Sequence, residues 1–184
     1  MEVEGMTKVE IGYLDLAPET IRIMSSVGLL LVSNAPDGKP NVMAIGWGTV
    51  GQIWGKPIFI VMVRPSRYTH GCIEASNEFT VNVPPQAMKD VVNYCGTVSG
   101  RERDKFAEAD ITPAPGKRVS VPIISECIVH YECRVVHKNE IIPAALSDDI
   151  ISTAYPQGDC HTVYFGEIIT AYADEDASKK LRCT

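Results

Sequence analysis

Between positions 64 and 70 the chain reads Arg64-Pro65-Ser66-Arg67-Tyr68-Thr69-His70, directly after the apolar run 57–63. A buried strand therefore delivers two guanidinium groups and two hydroxyls into one tight turn. Each guanidinium is a planar fork of N–H donors, and Ser66 and Thr69 add short neutral ones. That set suits a phosphate monoester, whose oxygens accept several charge-assisted hydrogen bonds at once. The competing reading is a pair of surface salt bridges. The place after an apolar strand, beside Ser66 and Thr69, favours the anion site. Residues 68–75 then read as a short helix, whose first amides and partial positive charge add to it.

A second stretch suggests a different chemistry and fails its test. Gly46, Gly48 and Gly51 spell G-x-G-x-x-G, the dinucleotide fingerprint. The fingerprint has meaning only where a helix follows inside a βαβ unit. Here Trp54, Gly55 and Pro57 lead into a strand instead. The glycines are expected to let backbone approach a flat ligand, or to bend a barrel corner.

Cys127, His130, Cys133 and His137 cluster in sequence and raise the question of a metal. On a strand, alternation turns His130 away from the other three, and Cys127 and Cys133 alone stand ~20 Å apart at ~3.3 Å per residue. Ligands ~2 Å from one ion cannot be so spread, and no metal is expected. The six cysteines, Cys183 included, contain no C-x-x-C pair and read as free thiols. Cys72, just inside a helix start, is the one thiol a helix terminus would activate; packing is the simpler role.

The elements that must position these groups are mostly strands. Gly28 to Ser33 and residues 41–45 form a hairpin around the turn signal Asp37-Gly38. Strand 57–63 is apolar on both faces, the mark of a strand covered on both sides. Glu78–Val83 alternates, with Thr80 and Asn82 opposite Phe79, Val81 and Val83. Met88, Val91, Val92 and Cys95 fall at the spacing of an amphipathic helix. Residues 97–118 are polar and irregular, with one helical turn packing through Phe106. Strands at 127–137 and 161–172 flank a connection carrying a helix near 149–154. Residues 1–24 read as an N-terminal extension outside the core, and 174–184 as a surface tail helix. Uneven strands with few crossover helices predict one mainly β domain over 1–184, a closed or partly open antiparallel barrel.

The totals agree. A chain of 184 residues, 45% hydrophobic and 22% charged, has the make-up of one soluble globular domain. A net charge of −6 leaves no basic stripe for nucleic acid. No apolar run is long enough for a bilayer, and Met1-Glu2-Val3-Glu4 does not read as a signal peptide. No membrane association and a cytoplasmic location are expected.

Three ordered stretches carry a resemblance: Asn41-Val42-Met43-Ala44-Ile45-Gly46-Trp47, Arg64 to Thr69, and Glu78-Phe79-Thr80-Val81-Asn82-Val83-Pro84. Together with Ser99-Gly100-Arg101, Asp104-Lys105-Phe106 and the 161–168 segment, they resemble the flavin reductase-like family, flavoredoxins included. The resemblance covers residues 25–172. It implies an FMN-binding split β-barrel, a Greek-key antiparallel barrel with short flanking helices, usually a homodimer, holding FMN non-covalently.

By the same resemblance, Met43, Ala44, Ile45, Gly46, Trp47, Gly48 and Thr49 lie along the isoalloxazine, and Arg64, Ser66, Arg67 and Thr69 take the phosphate. Trp47 either stacks on the ring or fills core. Asn82 reaches flavin polar atoms, or else faces solvent from its strand. Ser99, Lys105 and His161 are expected near the flavin or the dimer contact, with His161 the candidate catalytic residue. One departure matters: the family's Gly-Asp-His run is here Gly158-Asp159-Cys160-His161. On a strand, that extra residue would turn His161 to the other face.

The activity implied is reduction of bound flavin by NAD(P)H. Electrons then pass to free flavin, to a partner monooxygenase or other redox partner protein, or to another acceptor. The alternatives are an FMN electron-transfer protein with no substrate of its own, and a flavin-less barrel used as a binding module.

Overall fold

Two tight hairpins seed the sheet. The structure, a computed structural model, describes residues 8–182; Cys183 and the segment Met1 to Glu4 lie outside them. Strands β2 (Leu29–Asn34) and β3 (Pro40–Ile45) pair antiparallel across a turn holding Gly38 at φ 82°. Strands β4 (Gly48–Ile53) and β5 (Lys56–Val63) pair across Trp54 and Gly55, both at positive φ, as a two-residue hairpin turn requires. The glycine-rich stretch is therefore strand and turn. Gly48 serves this pairing: a Cβ there would stand 2.5 Å from the Ile60 carbonyl oxygen.

The remaining elements are β1 (Lys8–Glu10), α1 (Ala17–Ser26), α2 (Tyr68–Ser76), β6 (Glu78–Val83), α3 (Lys89–Thr97), α4 (Lys105–Glu108), β7 (Pro113–Ala114), β8 (Ile123–Ile124), β9 (Val129–Glu140), α5 (Asp148–Ala154), β10 (Thr162–Asp174) and α6 (Ala177–Arg182). The main sheet runs β3-β2-β6-β9-β10-β5-β4, every pairing antiparallel, with β1 added to β10. Seven strands in the row, if flat, would hold their outer edges roughly 29 Å apart at ~4.8 Å per step. Yet β3 and β4, the two edges, are joined by Gly46 and Trp47 alone. Three Cα steps span about 11 Å at most, so the sheet must curl until its edges meet. The edges carry no ladder to each other, and the barrel is split there.

Two apolar clusters hold this shape. One fills the barrel with Leu29, Leu31, Phe59, Val61, Phe79, Val81 and Tyr131, all fully buried. The other lies outside β2 and β3, where Leu30, Val32 and Val42 meet Val92 and Cys95 of α3 and Phe106 of α4. The strand covered on both faces is thus β2, not β5, whose Ile60 and Met62 are only half-buried. The chain ends also differ from expectation. Leu16, Ile23 and Met24 before β2, and Ala177 and Leu181 of α6, belong to the barrel cluster. Residues 16–24 and α6 therefore pack into the barrel core rather than decorate it.

Polar side chains on the outer face of β6 and β9 are buried as well. Glu132 is fully buried and accepts from the amides of Lys117, Arg118 and Val119, at 2.6–3.0 Å, and from the Tyr172 hydroxyl at 2.6 Å. One carboxylate thereby pins the irregular 117–119 loop to the sheet. Glu132→Ala strands three amides and is expected to lower stability by about 3 kcal/mol, read by urea unfolding, with Tyr172→Phe costing about 1 kcal/mol.

Candidate functional site

Strand β5 ends at Val63, and the chain turns at once: the Arg67 amide donates to the Arg64 carbonyl at 3.0 Å. Helix α2 starts at Tyr68 with Arg67 as its cap residue and no side-chain cap on its first amides. Uncapped helix amides need an acceptor from outside the helix. They border a cavity of about 410 Å3 whose wall includes Arg64, Ser66, Arg67, Thr69, Ser99 and Lys105. The turn and the distant 99–105 segment thus meet in one place.

The wall is strongly cationic. Arg64, Arg67, Arg101 and Lys105 face a single carboxylate, Asp159. Lys105 is 5% exposed, and its ammonium donates to the carbonyls of Val42 at 2.7 Å and Cys95 at 2.9 Å. The Cys95 carbonyl belongs to the last turn of α3, where the helix dipole favours a cation. Burial, with Arg67 adding repulsion, still pulls the Lys105 pKa below its ordinary value. Arg101 donates to the Ser66 carbonyl at 3.0 Å and lies 5.5 Å over the Tyr68 ring. Asn41, buried, donates to the Thr69 hydroxyl at 2.7 Å, which leaves the Thr69 O–H free to donate. Gly100 rests on Asn41 so closely that a Cβ would fall 1.9 Å from its amide oxygen.

One anion already touches this turn. The Asp159 carboxylate accepts from Ser66 Oγ at 2.6 Å and from the Ser66 amide at 3.4 Å, with Arg64 4.0 Å away. Arg64 also donates to the carbonyls of Ala154 and Asp159. The cradle therefore accepts an oxyanion in practice, and here its own loop supplies one.

A second cavity, of about 200 Å3, shares Met43, Arg64 and Arg67 with the first and continues along Ala44, Ile45, Gly46 and Trp47 to His161. It lies between the end of β3 with its Gly46–Trp47 link and Met62 near the end of β5. Trp47 is 47% exposed and packs its ring 5.1 Å from His161 and 6.4 Å from Tyr155. Burial, with Arg64 and Arg67 adding repulsion, lowers the His161 pKa to about 4. His161 precedes β10, so strand alternation does not govern it: Gly158 and Asp159, both at positive φ, absorb the extra residue in the loop.

Other expected residues lie elsewhere. Gly48 and Thr49 border neither cavity; Thr49 pairs with Ile60 on the exposed sheet face. Asn82 is neither a flavin contact nor solvent-facing. It is fully buried, donates to Leu30 O and Thr80 Oγ1, and accepts from the Ile124 amide and His130 Nδ1. Its hydrogen-bonding capacity is spent within the fold. Cys72 and Cys95 are buried, which pushes both thiols up to about 11 and makes them packing groups. Sequence reasoning missed the roles of Arg101, Asn41, Asp159 and Tyr155. Arg101 was legible only as part of the Ser99-Gly100-Arg101 stretch, with no role of its own, and the other three act through partners 28, 93 and 6 positions away.

Comparison with known proteins follows this geometry. An uncharacterized protein of Archaeoglobus fulgidus is 36% identical over 132 residues, 71% of this chain and 64% of its own length. A flavoredoxin from Methanosarcina acetivorans is 32% identical, covering 81% of this chain and 69% of that one, with a TM-score of 0.66. A split-barrel structure from Shewanella frigidimarina, 16% identical over 89% of this chain and 76% of its own, also superposes with a TM-score of 0.66 and shows the fold alone. The fold is a split barrel. The model of the flavin reductase like domain matches residues 22–182, and the chain belongs to that family.

Proposed function

We propose that this chain binds FMN non-covalently, has it reduced by NAD(P)H, and passes the electrons to an acceptor. The observation that carries this reading is the cationic cavity opening directly into the groove along Met43 to Trp47. A phosphate fits the first: four cations, a held Thr69 hydroxyl and uncapped helix amides have one exposed carboxylate as their counter-charge. A planar ring fits the second, where backbone and Trp47 form the wall. Bound FMN would supply the electron-transfer chemistry.

The chain's own residues do the rest. Arg64, Ser66, Arg67 and Thr69 hold the phosphate, with Ser99 and Lys105 at its far side. Backbone amides between Ala44 and Trp47 would offer donors beside the ring edge, where negative charge grows on reduction. His161 is neutral at physiological pH and serves the ring cavity as a polar contact. The expected setting is cytoplasmic; among the described residues no helix is long and apolar enough to cross a membrane. A second reading, an FMN electron carrier without its own substrate, is favoured by the 32% identity to a flavoredoxin. In either case a redox partner protein or monooxygenase is the proposed recipient.

The protein purified under native conditions should be yellow or take up FMN. Anaerobic NAD(P)H should bleach it. A colourless protein that refuses FMN overturns both readings, and a yellow one that NAD(P)H leaves oxidised retains only the carrier. Arg64→Ala/Arg67→Ala should weaken FMN binding by at least about 100-fold, since each charge-assisted contact is worth ~1.5–3 kcal/mol.

Asp159 competes with the phosphate for Ser66. Asp159→Asn should therefore tighten FMN binding about fivefold, the scale of one partly exposed charge contact, by isothermal titration. A weaker Kd would instead make Asp159 part of the ligand's own contacts.

The proposed assembly is a homodimer. Ile60 and Met62 of β5 and Val163 and Phe165 of β10 pair across one outward face and are only half-buried. Trp54, 62% exposed, leans on Phe165 and His137 at 5.7 Å each. This apolar face runs into the ring cavity through Met62, and a second copy presents the same surface to it. Light scattering should report a dimer, and Phe165→Lys should shift it to monomer.

A further inference from the structure

Tyr155 follows α5, is 5% exposed, and places its hydroxyl 2.8 Å from His161 Nδ1. Its ring is held between Arg64, 5.3 Å over one face, and the edge of Trp47. Nδ1 is thereby occupied. Nε2 has no protein partner among the described residues, and the imidazole lines the ring cavity with Met43, Met62, Arg64 and Arg67. The arrangement leaves one ring nitrogen for the fold and one for whatever enters the cavity.

The direction of the Tyr155–His161 bond follows from what surrounds it. Burial first, then Arg64 and Arg67 from the β5–α2 turn, hold the imidazole neutral against Asp159, which favours the cation from the loop side. Burial and the neighbouring Cys160 keep the Tyr155 hydroxyl protonated, against Arg64 and the His161 amide, which favour the phenolate. Were Nδ1–H the donor, the buried O–H would have no acceptor among the described residues, a costly state for a hydroxyl. The O–H therefore donates to Nδ1, and a neutral imidazole so bound carries its one proton on Nε2.

We propose that Tyr155 is a positioning residue that locks His161 as its Nε2–H tautomer, making the imidazole a neutral hydrogen-bond donor to a carbonyl or anionic oxygen of a ligand in the ring cavity. His161 in this role is not a base. It cannot take a proton on Nδ1 while Tyr155 is bound there, and its Nε2 already holds one. The ligand half of the proposal rests on the flavin reading above; the tautomer half stands without it.

The test is two-bond 15N–1H correlation of His161 in 15N-histidine-labelled protein, assigned with His161→Gln, before and after addition of FMN. Wild-type protein should show an unprotonated Nδ1 and a protonated Nε2 at neutral pH, with no titration until pH falls towards about 4. Tyr155→Phe should mix the two tautomers and raise the titration midpoint, because a hydrogen bond to the neutral form opposes protonation. FMN uptake, followed by its visible spectrum, should move the Nε2 proton downfield.

A wild-type Nδ1–H tautomer or a cation at neutral pH overturns the lock, and this arm needs no variant to fold. A Tyr155→Phe spectrum identical to wild type overturns the role of Tyr155. FMN bound with the Nε2 proton unmoved overturns the donor role. Failure to bind FMN with the tautomer still locked sinks the flavin reading and leaves the Tyr155–His161 pairing intact.

Discussion

A two-residue bridge between the opposite edges of one sheet governs this molecule. Gly46 and Trp47 are all that join β3 to β4, so the row of strands has no choice but to roll up. Rolling up brings the edges together without a ladder, because both strand ends are already turning where they meet. Unpaired backbone at such a seam must find acceptors and donors from outside the sheet. The second cavity lies beside that two-residue link, walled by the end of β3 and by Trp47, Met62, Arg64, Arg67 and His161.

The same closure concentrates charge. The chain carries −6 overall, yet four cations gather at the cavity beside the seam. One carboxylate, Asp159, stands among them, and backbone carbonyls hold the cations in place. Lys105 rests on the Val42 and Cys95 carbonyls, Arg64 on those of Ala154 and Asp159, Arg67 near Gly96, and Arg101 on Ser66. Carbonyl dipoles orient a cation without cancelling its charge, so the field of the cavity persists for an incoming anion. Lys105 has a further consequence: by bonding to β3 and to the end of α3 at once, it ties the outer helical layer to the strand that borders the ring cavity.

Much of this was legible because it rests on local chemistry. The Arg64–Thr69 turn, the Asp37-Gly38 hairpin and the i, i+3, i+4, i+7 stripe of α3 are each written within a few residues. The failures share one cause, which is that a second layer covers what a single sheet would expose. Thr80, Asn82 and Glu132 alternate as if facing water, but the 117–124 loop folds over them and its amides and carbonyls use them as partners. β5 reads as covered on both faces because Ile60 and Met62 are apolar, while among the described residues both stay half-buried. The tail reads as a surface helix from its charges, yet Ala177 and Leu181, one turn apart, are buried in the barrel cluster. Periodicity records what a residue is, and only tertiary structure records what arrives to cover it.

Cys160, which stands before His161 in the Gly158–His161 run, shows how a loop can set the place of a side chain. Within β10 an extra residue would have reversed every side chain after it. Instead the register of β10 is fixed from both sides, with Thr162 opposite Val63 of β5 and Glu140 of β9. The slack is taken up before the strand begins, by two successive residues in the left-handed region, one of them the non-glycine Asp159. A non-glycine residue there is strained by about 1 kcal/mol or more, so something must hold it. Ser66 does, through the carboxylate, and Arg64 does, through the carbonyl. The anion cradle and the placement of His161 are therefore one mechanical unit: whatever draws Ser66 and Arg64 away from Asp159 also loosens the loop that carries Tyr155 and the imidazole.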